Sequence, residues 1–205
     1  GDQYLQEHSE DEFLSIAKSL KNEDLATITY TSGTTAEPKG VMLTHRNYTA
    51  NIEQALTLLD IPETWRTLVI LPLDHCFAHV AGFYIFMKCG AGVATVQVGR
   101  SPLETLRNIP INIKEIKPHM ILSVPALAKN FRKNIENGVR AQGKSLNRLF
   151  HLALKVAYVY NQDGWNKGAG WRCLLKPLVT WFDSILFSKL RESFGGNLQF
   201  FIGGG

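Results

Sequence analysis

Cysteine is scarce. Cys76, Cys89 and Cys173 are an odd number with no C-x-x-C spacing, which supports neither a disulfide framework nor a zinc knuckle. A reducing, intracellular compartment is the default expectation for such a chain. Long apolar runs are missing too, since no stretch reaches the roughly 18 consecutive apolar residues of a spanning helix. The nearest candidate, His75 to Gly99, carries only Lys88 as a charge but is cut by Gly90 and Gly92; it reads as a buried helix followed by a buried strand. The first residues lack a basic segment leading into an apolar one, so no secretory signal is expected. Internal repeats and low-complexity tracts are absent as well, which excludes solenoid and linker-like chains.

What remains is an ordinary globular composition. The chain has 205 residues, 45% hydrophobic and 20% charged, enough to bury a core as one large domain or two small ones. Net charge is +4, unevenly spread: residues 1–24 carry seven acids against Lys18 and Lys21, leaving +9 on the remainder. The body therefore suits an anionic partner: a nucleotide, a phosphate-bearing cofactor, a membrane surface or a nucleic acid.

Short β-rich runs alternate with helical periods, the pattern of an α/β fold. Leu25–Tyr30 reads as a strand, followed by a ten-residue Gly/Ser/Thr loop and the apolar run Val41–Leu43. Thr44 is placed to cap a helix with Ile52, Ala55, Leu56 and Leu59 at i, i+3, i+4 and i+7. Strands are expected at Thr67–Leu71, Val93–Val98, His119–Val124 and Leu198–Ile202. Helices are expected around His79–Lys88, weakly after Pro102, from Pro125, and along the stripe Leu146, Leu149, Phe150, Ala153 and Ala157. Residues 161–170 read as a linker-like loop. Pro177 starts a last helix expected to bury Leu178, Phe182, Ile185, Leu186 and Leu190, ended by Gly195 and Gly196. A final strand running straight into Gly203-Gly204-Gly205 predicts a piece of a larger enzyme.

Residues 31–40, TSGTTAEPKG, form the most informative stretch. Four hydroxyls, two glycines and one lysine follow a hydrophobic strand. Polyphosphate binding uses this inventory: backbone N–H groups free to point at oxygens, short donors, and a long cation for the terminal phosphates. The pattern G-x-x-x-x-G-K-[ST] cannot be laid on it, so it is not a Walker A loop. By composition alone, a Ser/Thr/Gly surface turn stands beside the phosphate reading.

The order of residues goes further. TSGTTAEPKGVMLTHRN closely resembles the phosphate-binding signature of the adenylate-forming superfamily, which includes acyl-CoA synthetases, luciferases and peptide-synthetase adenylation domains. Against the family's Y-T-S-G-T-T-G-x-P-K-G-V, residues Tyr30 to Val41 match at every defined position except Ala36, where the family usually has glycine. Leu71–Ala78 looks like the family's P-L-x-H-x-F segment, and Phe194 to Gly205 resembles the G-G-x-L-x-x-x-x-S-G-G-A stretch, with Gly203 in place of the usual serine. The resemblance spans residues from about 25 to 205.

The resemblance implies part of the large N-terminal domain of an adenylate-forming enzyme, a mainly parallel sheet flanked by helices. Residues 1–24 would be an acidic lead-in, and residues 25–205 a partial ATP/AMP-binding domain without its C-terminal lid. It implies ATP and Mg²⁺ as cofactors, acyl-adenylate formation with release of pyrophosphate, and transfer to a thiol, usually coenzyme A. Ser32, Gly33, Thr34, Thr35 and Lys39 would hold the polyphosphate, Thr31 would contact Mg²⁺ as well as the nucleotide, Gly203 and Gly204 would enter the adenine loop, and His75 would stand beside the reacting carboxylate. The Y-G-x-T-E motif and the adenylation lysine are not in these residues, so the isolated chain is expected to have little or no ligase activity.

The long aromatic run Lys129–Leu190 resembles that of long-chain fatty acyl-CoA synthetases, which implies a fatty acid substrate. Its first part is basic, with Lys129, Arg132, Lys133, Arg140, Lys144, Arg148 and Lys155 against Glu136; the readings are a solvated helix face or a membrane- or CoA-facing patch. Trp165, Trp171, Trp181 and Phe182 are expected in the core, with an acyl-tunnel lining and an interfacial helix over 171–190 as the other readings. Expected localisation is cytoplasmic and membrane-peripheral. The alternatives are an acyl carrier protein ligase or another acid ligase of the superfamily, or a non-catalytic nucleotide- or nucleic-acid-binding module. Neither an RNP-like motif nor C₂H₂ spacing supports the last, and no nucleic acid partner is expected.

Overall fold

The computed structural model describes residues 8–31 and 38–203. The chain divides into two compact units, one of Gly1–Asp60 with Leu73–Ile85, the other of Ile61–Pro72 with Phe86–Gly205.

In the first unit, helix α1 (Glu10–Ser19) lies in the acidic lead-in, its N-terminus capped by the Ser9 hydroxyl, which accepts from the Glu12 amide. Glu10, Asp11 and Glu12 occupy the first turn, where the helix dipole favours negative charge. Strands β1 (Leu25–Thr31) and β2 (Lys39–Thr44) form an antiparallel hairpin. The β2 strand runs directly into helix α2 (His45–Leu56), which Thr44 caps as expected. The Thr44 hydroxyl accepts from the Asn47 amide and the Asn47 side chain accepts from the Thr44 amide, so two orphan donors are satisfied reciprocally. Two-stranded hairpins are marginal alone. This one is held to α2 through buried Tyr48, whose hydroxyl lies 2.8 Å from Thr27 Oγ1. The expected helix around His79 begins as a π-helical segment, Ala78–Tyr84, and continues into the short α3 (Ile85–Lys88).

The second unit is built on a four-stranded parallel sheet of order β4-β3-β5-β6. The strands are β3 (Arg66–Val69), β4 (Gly92–Thr95), β5 (Met120–Ser123) and β6 (Phe200–Gly203). Parallel strands need long crossovers, and helices supply them. Helix α4 (Pro102–Ile116) links β4 to β5; α5 (Pro125–Ala141), α6 (Lys144–Asn161), a 3₁₀ turn (Gly170–Leu175), α7 (Lys176–Phe182), a π-helical turn (Asp183–Phe187) and α8 (Ser188–Ser193) link β5 to β6. The central strands β3 and β5 are almost wholly buried, while β4 and β6 are partly exposed edges. Leu68, Ile109, Ile113 and Ile121 form the core between the sheet and α4. His119, just before β5, stacks on Trp65 at 5.5 Å and accepts from the Arg66 amide. Burial and the neighbouring Arg66 hold its imidazole below the ordinary histidine pKa.

Several expectations are corrected. The strand after the CGAG turn is not buried: β4 is an edge, it stops at Thr95, and Val98 is exposed. The helix after Pro102 is not weak but 15 residues long, because Ser101 caps it and it lays Ile109 and Ile113 on the sheet despite Pro110 in its interior. The last helix is interrupted by a π turn, and of its expected core residues only Phe182 is fully buried, with Leu178 exposed. Trp165, Trp171 and Trp181 are surface residues, not core. Apolar character does not fix which side of a helix turns inward, and along α7 Phe182 is buried while Trp181 is exposed.

Candidate functional site

The expected phosphate loop is carried on the β1–β2 hairpin. Tyr30 pairs with Gly40 and Thr31 with Lys39 across the strands, so the loop is clamped at both ends by a regular ladder. Ser32, Gly33, Thr34 and Thr35 lie outside the described residues, as does Gly204. The structure therefore brings together Thr31 and Lys39, facing each other at the last paired position, with Thr31 Oγ1 donating to the Lys39 carbonyl at 3.5 Å. Both are exposed. Gly40 has a steric reason to be glycine: a Cβ there would meet Ile28 Cγ2 at 3.1 Å and Tyr30 Cε1 at 3.4 Å, the side chains that close over the ladder from β1.

Behind the hairpin is a cavity of about 410 Å³ lined by Thr27, Thr29, Tyr30, Tyr48, Asp74 and His79, among others. His79 stacks on Tyr84 at 4.6 Å and meets the edge of Tyr48 at 5.6 Å. The Asp74 carboxylate on its wall makes this cavity a poor seat for a polyphosphate, by like-charge repulsion. His75 belongs to the same unit but does not line the cavity. It is exposed, and its Nδ1 accepts from the Phe77 amide at 3.3 Å. The histidine that enters the cavity is His79, one helical turn further on. Sequence reasoning passed over it, since nothing in the order of residues marks it as the one that lines the cavity. Gly203 is the last residue of β6 in the second unit, paired with Ser123, with open space where a side chain would project.

A Mg²⁺ ion takes one or two protein oxygens and completes its shell with substrate phosphates and water. The Thr31 hydroxyl is compatible with that sparse role, since it is exposed and, while donating to the Lys39 carbonyl, its oxygen still has lone pairs to offer. Among the described residues no group of three or more His, Cys, Asp or Glu side chains is positioned to hold a metal.

Comparison with known proteins agrees with the family resemblance of the motif. The family model described as "AMP-binding enzyme" matches residues 2–203. Long-chain-fatty-acid–CoA ligase 5 of Rattus norvegicus is 30% identical over 187 residues, 89% of this chain and 24% of its own length. Long-chain-fatty-acid–CoA ligase FadD15 of Mycobacterium tuberculosis is 32% identical over 191 residues, 91% of this chain and 30% of its own. The chain thus spans about a quarter to a third of these relatives. Among solved structures, McyG A-PCP complexed with phenylalanyl-adenylate aligns with a TM-score of 0.50 at 24% identity, over 58% of this chain and 21% of that one, which supports the α/β architecture. The family match over nearly the whole chain, the loop motif and the parallel sheet agree: this chain belongs to the AMP-binding family of adenylate-forming enzymes, with long-chain fatty acid–CoA ligases among its relatives.

Proposed function

We propose that the chain is the polyphosphate-gripping portion of an ATP-dependent acid–thiol ligase. In the full enzyme a long-chain fatty carboxylate attacks the α-phosphate of ATP, forming an acyl adenylate and releasing pyrophosphate, and the coenzyme A thiol then takes the acyl group and releases AMP. The observation that carries this reading is the motif Tyr30–Val41 on a hairpin whose ends are paired at Thr31 and Lys39. The choice of a long-chain acid is supported by the names of the relatives at about 30% identity.

The chemical problem is electrostatic. An anionic carboxylate has to approach an anionic α-phosphate, and negative charge then builds on the departing pyrophosphate. In this reading Ser32, Thr34 and Thr35 donate hydroxyl hydrogen bonds to the β- and γ-phosphate oxygens, and Gly33 exposes its amide to them. Lys39, at the start of β2, extends its ammonium toward the same oxygens. The Thr31 hydroxyl contributes one oxygen to Mg²⁺, which when bound neutralises phosphate charge. His75 orients the carboxylate, and Gly203 with Gly204 lets the backbone come close to the adenine.

The test is acid-dependent pyrophosphate release by the full-length protein with acetate, octanoate, palmitate and benzoate. Palmitate is expected to exceed octanoate in kcat/KM by about tenfold or more, since each methylene buried in an apolar pocket adds discrimination. Preference for benzoate or acetate would overturn the fatty acid assignment, and release independent of any acid would overturn the ligase assignment.

A further inference from the structure

The two reacting groups of the proposed reaction are held by different stretches of the first unit. The polyphosphate belongs to the loop that leaves β1 at Thr31, and the carboxylate to the segment of His75. Adenylation needs the two at a fixed separation, because a misplacement of about 1 Å can cost on the order of 100-fold in rate. Tyr48 touches both stretches.

Tyr48 lies in the first turn of α2 and is only 7% exposed. Strand β2 ends at Thr44 and α2 begins at His45, so no loop lets Tyr48 drift from the hairpin. Its hydroxyl reaches across to β1, 2.8 Å from Thr27 Oγ1. Thr27 precedes Thr31 on the same strand by about 13 Å at the ordinary rise of a β-strand. A tilt of about 5° at Thr27 would therefore move the root of the loop by about 1 Å.

The ring of Tyr48 looks the other way. It meets the edges of His79 at 5.6 Å and Tyr84 at 5.5 Å, and those two stack on each other at 4.6 Å. His79 and Tyr84 are five residues apart. On a regular α-helix such a pair does not share a face, but Ala78–Tyr84 is π-helical, and its i, i+5 repeat brings the two rings together against Tyr48. The His79 amide donates to the His75 carbonyl at 3.1 Å, which ties the ring cluster to the His75 backbone. All these contacts are internal to the unit, so they do not depend on what covers its outer faces.

We infer that Tyr48 is a positioning residue for acyl-adenylate formation: it holds the strand that roots the polyphosphate loop against the segment that carries His75. It acts through Thr27 and His79, and the inference rests on the ligase reading above. The alignment matters while the carboxylate oxygen attacks the α-phosphate and pyrophosphate leaves. It no longer matters once pyrophosphate has gone and coenzyme A takes the acyl group.

Kinetics of the two half-reactions in the full-length protein test this. Tyr48→Phe keeps the ring and removes the hydroxyl. It is expected to slow single-turnover pyrophosphate release about tenfold at saturating ATP, Mg²⁺ and palmitate, with the half-saturating ATP concentration within about twofold of wild type. Thr27→Val is expected to match it, and Thr27→Ser, which keeps a hydroxyl, to recover most of the rate. Because the two hydroxyls make one bond, the double variant Tyr48→Phe with Thr27→Val should lose no more than either alone. Palmitoyl adenylate supplied directly should be converted to the thioester by coenzyme A at the wild-type rate in every variant, which also shows that the variants are folded. Wild-type pyrophosphate release in Tyr48→Phe, a defect only in half-saturating ATP, equal losses in both half-reactions, or additive losses in the double variant would each overturn this inference alone. A wild type that releases no pyrophosphate in response to acid would overturn the ligase reading, and this inference with it.

Discussion

In the full-length protein, Lys39→Ala is expected to lower kcat/KM for acid-dependent pyrophosphate release by about 100- to 1000-fold, the scale of losing one preorganised group that stabilises developing charge. Lys39 is suited to this because its backbone is fixed while its side chain makes no ion pair or hydrogen bond among the described residues. It is the first residue of β2, paired with Thr31, and it is exposed. Its ammonium therefore reaches out from an anchored root, and little entropy of the main chain remains to be lost when phosphate binds. Lys39→Arg keeps the charge and should retain more activity than Lys39→Ala, although the planar guanidinium presents its donors differently. Since no described ion pair or hydrogen bond uses the Lys39 side chain, folding should be untouched. Wild-type activity in Lys39→Ala, or a loss of activity explained by a lower Tm, would contradict this role.

The second large effect concerns the sheet. Leu68 has no exposed surface and sits in the middle of β3, packed with Ile109, Ile113 and Ile121. Leu68→Ala is expected to destabilise the second unit by about 2–5 kcal/mol, through lost transfer free energy and the cavity left behind. Hydrogen exchange of the β3 and β5 amides in the full-length protein reads this locally, as a fall in the free energy of opening. Val98→Ala, at an exposed site beyond the edge strand, should change the same amides by no more than about 0.5 kcal/mol. Equal effects at the two positions would mean that the buried cluster is not where the unit is held together.

The features legible in the sequence are those set by neighbouring residues. Thr44 with Asn47 three residues later spells a cap, and Pro125 at the opening of α5 spells a start. The order of residues from Tyr30 to Val41 identified the family before any geometry. Burial was less legible, because it depends on what a segment packs against. Val93–Val98 reads as a buried strand until its position at the sheet edge is known, and three tryptophans read as core until Phe182 is found on the inner side. The segment after Pro102 reads as a weak helix, whereas the Ser101 cap and the burial of Ile109 and Ile113 sustain 15 residues of helix through Pro110. The two histidines of residues 75–79 show the same limit at the site. The motif singles out His75, and nothing in the order of residues tells that His79, rather than His75, lines the cavity beside the hairpin.

The loop of residues 31–40 either receives a nucleotide polyphosphate or the ligase role fails. Hydrogen exchange of the full-length protein with and without ATP and Mg²⁺ tests this most directly. Slower exchange of the amides between Thr31 and Gly40, lost in Lys39→Ala, is the predicted result. Unchanged exchange there under saturating ATP and Mg²⁺, with protection elsewhere in the protein, would contradict it.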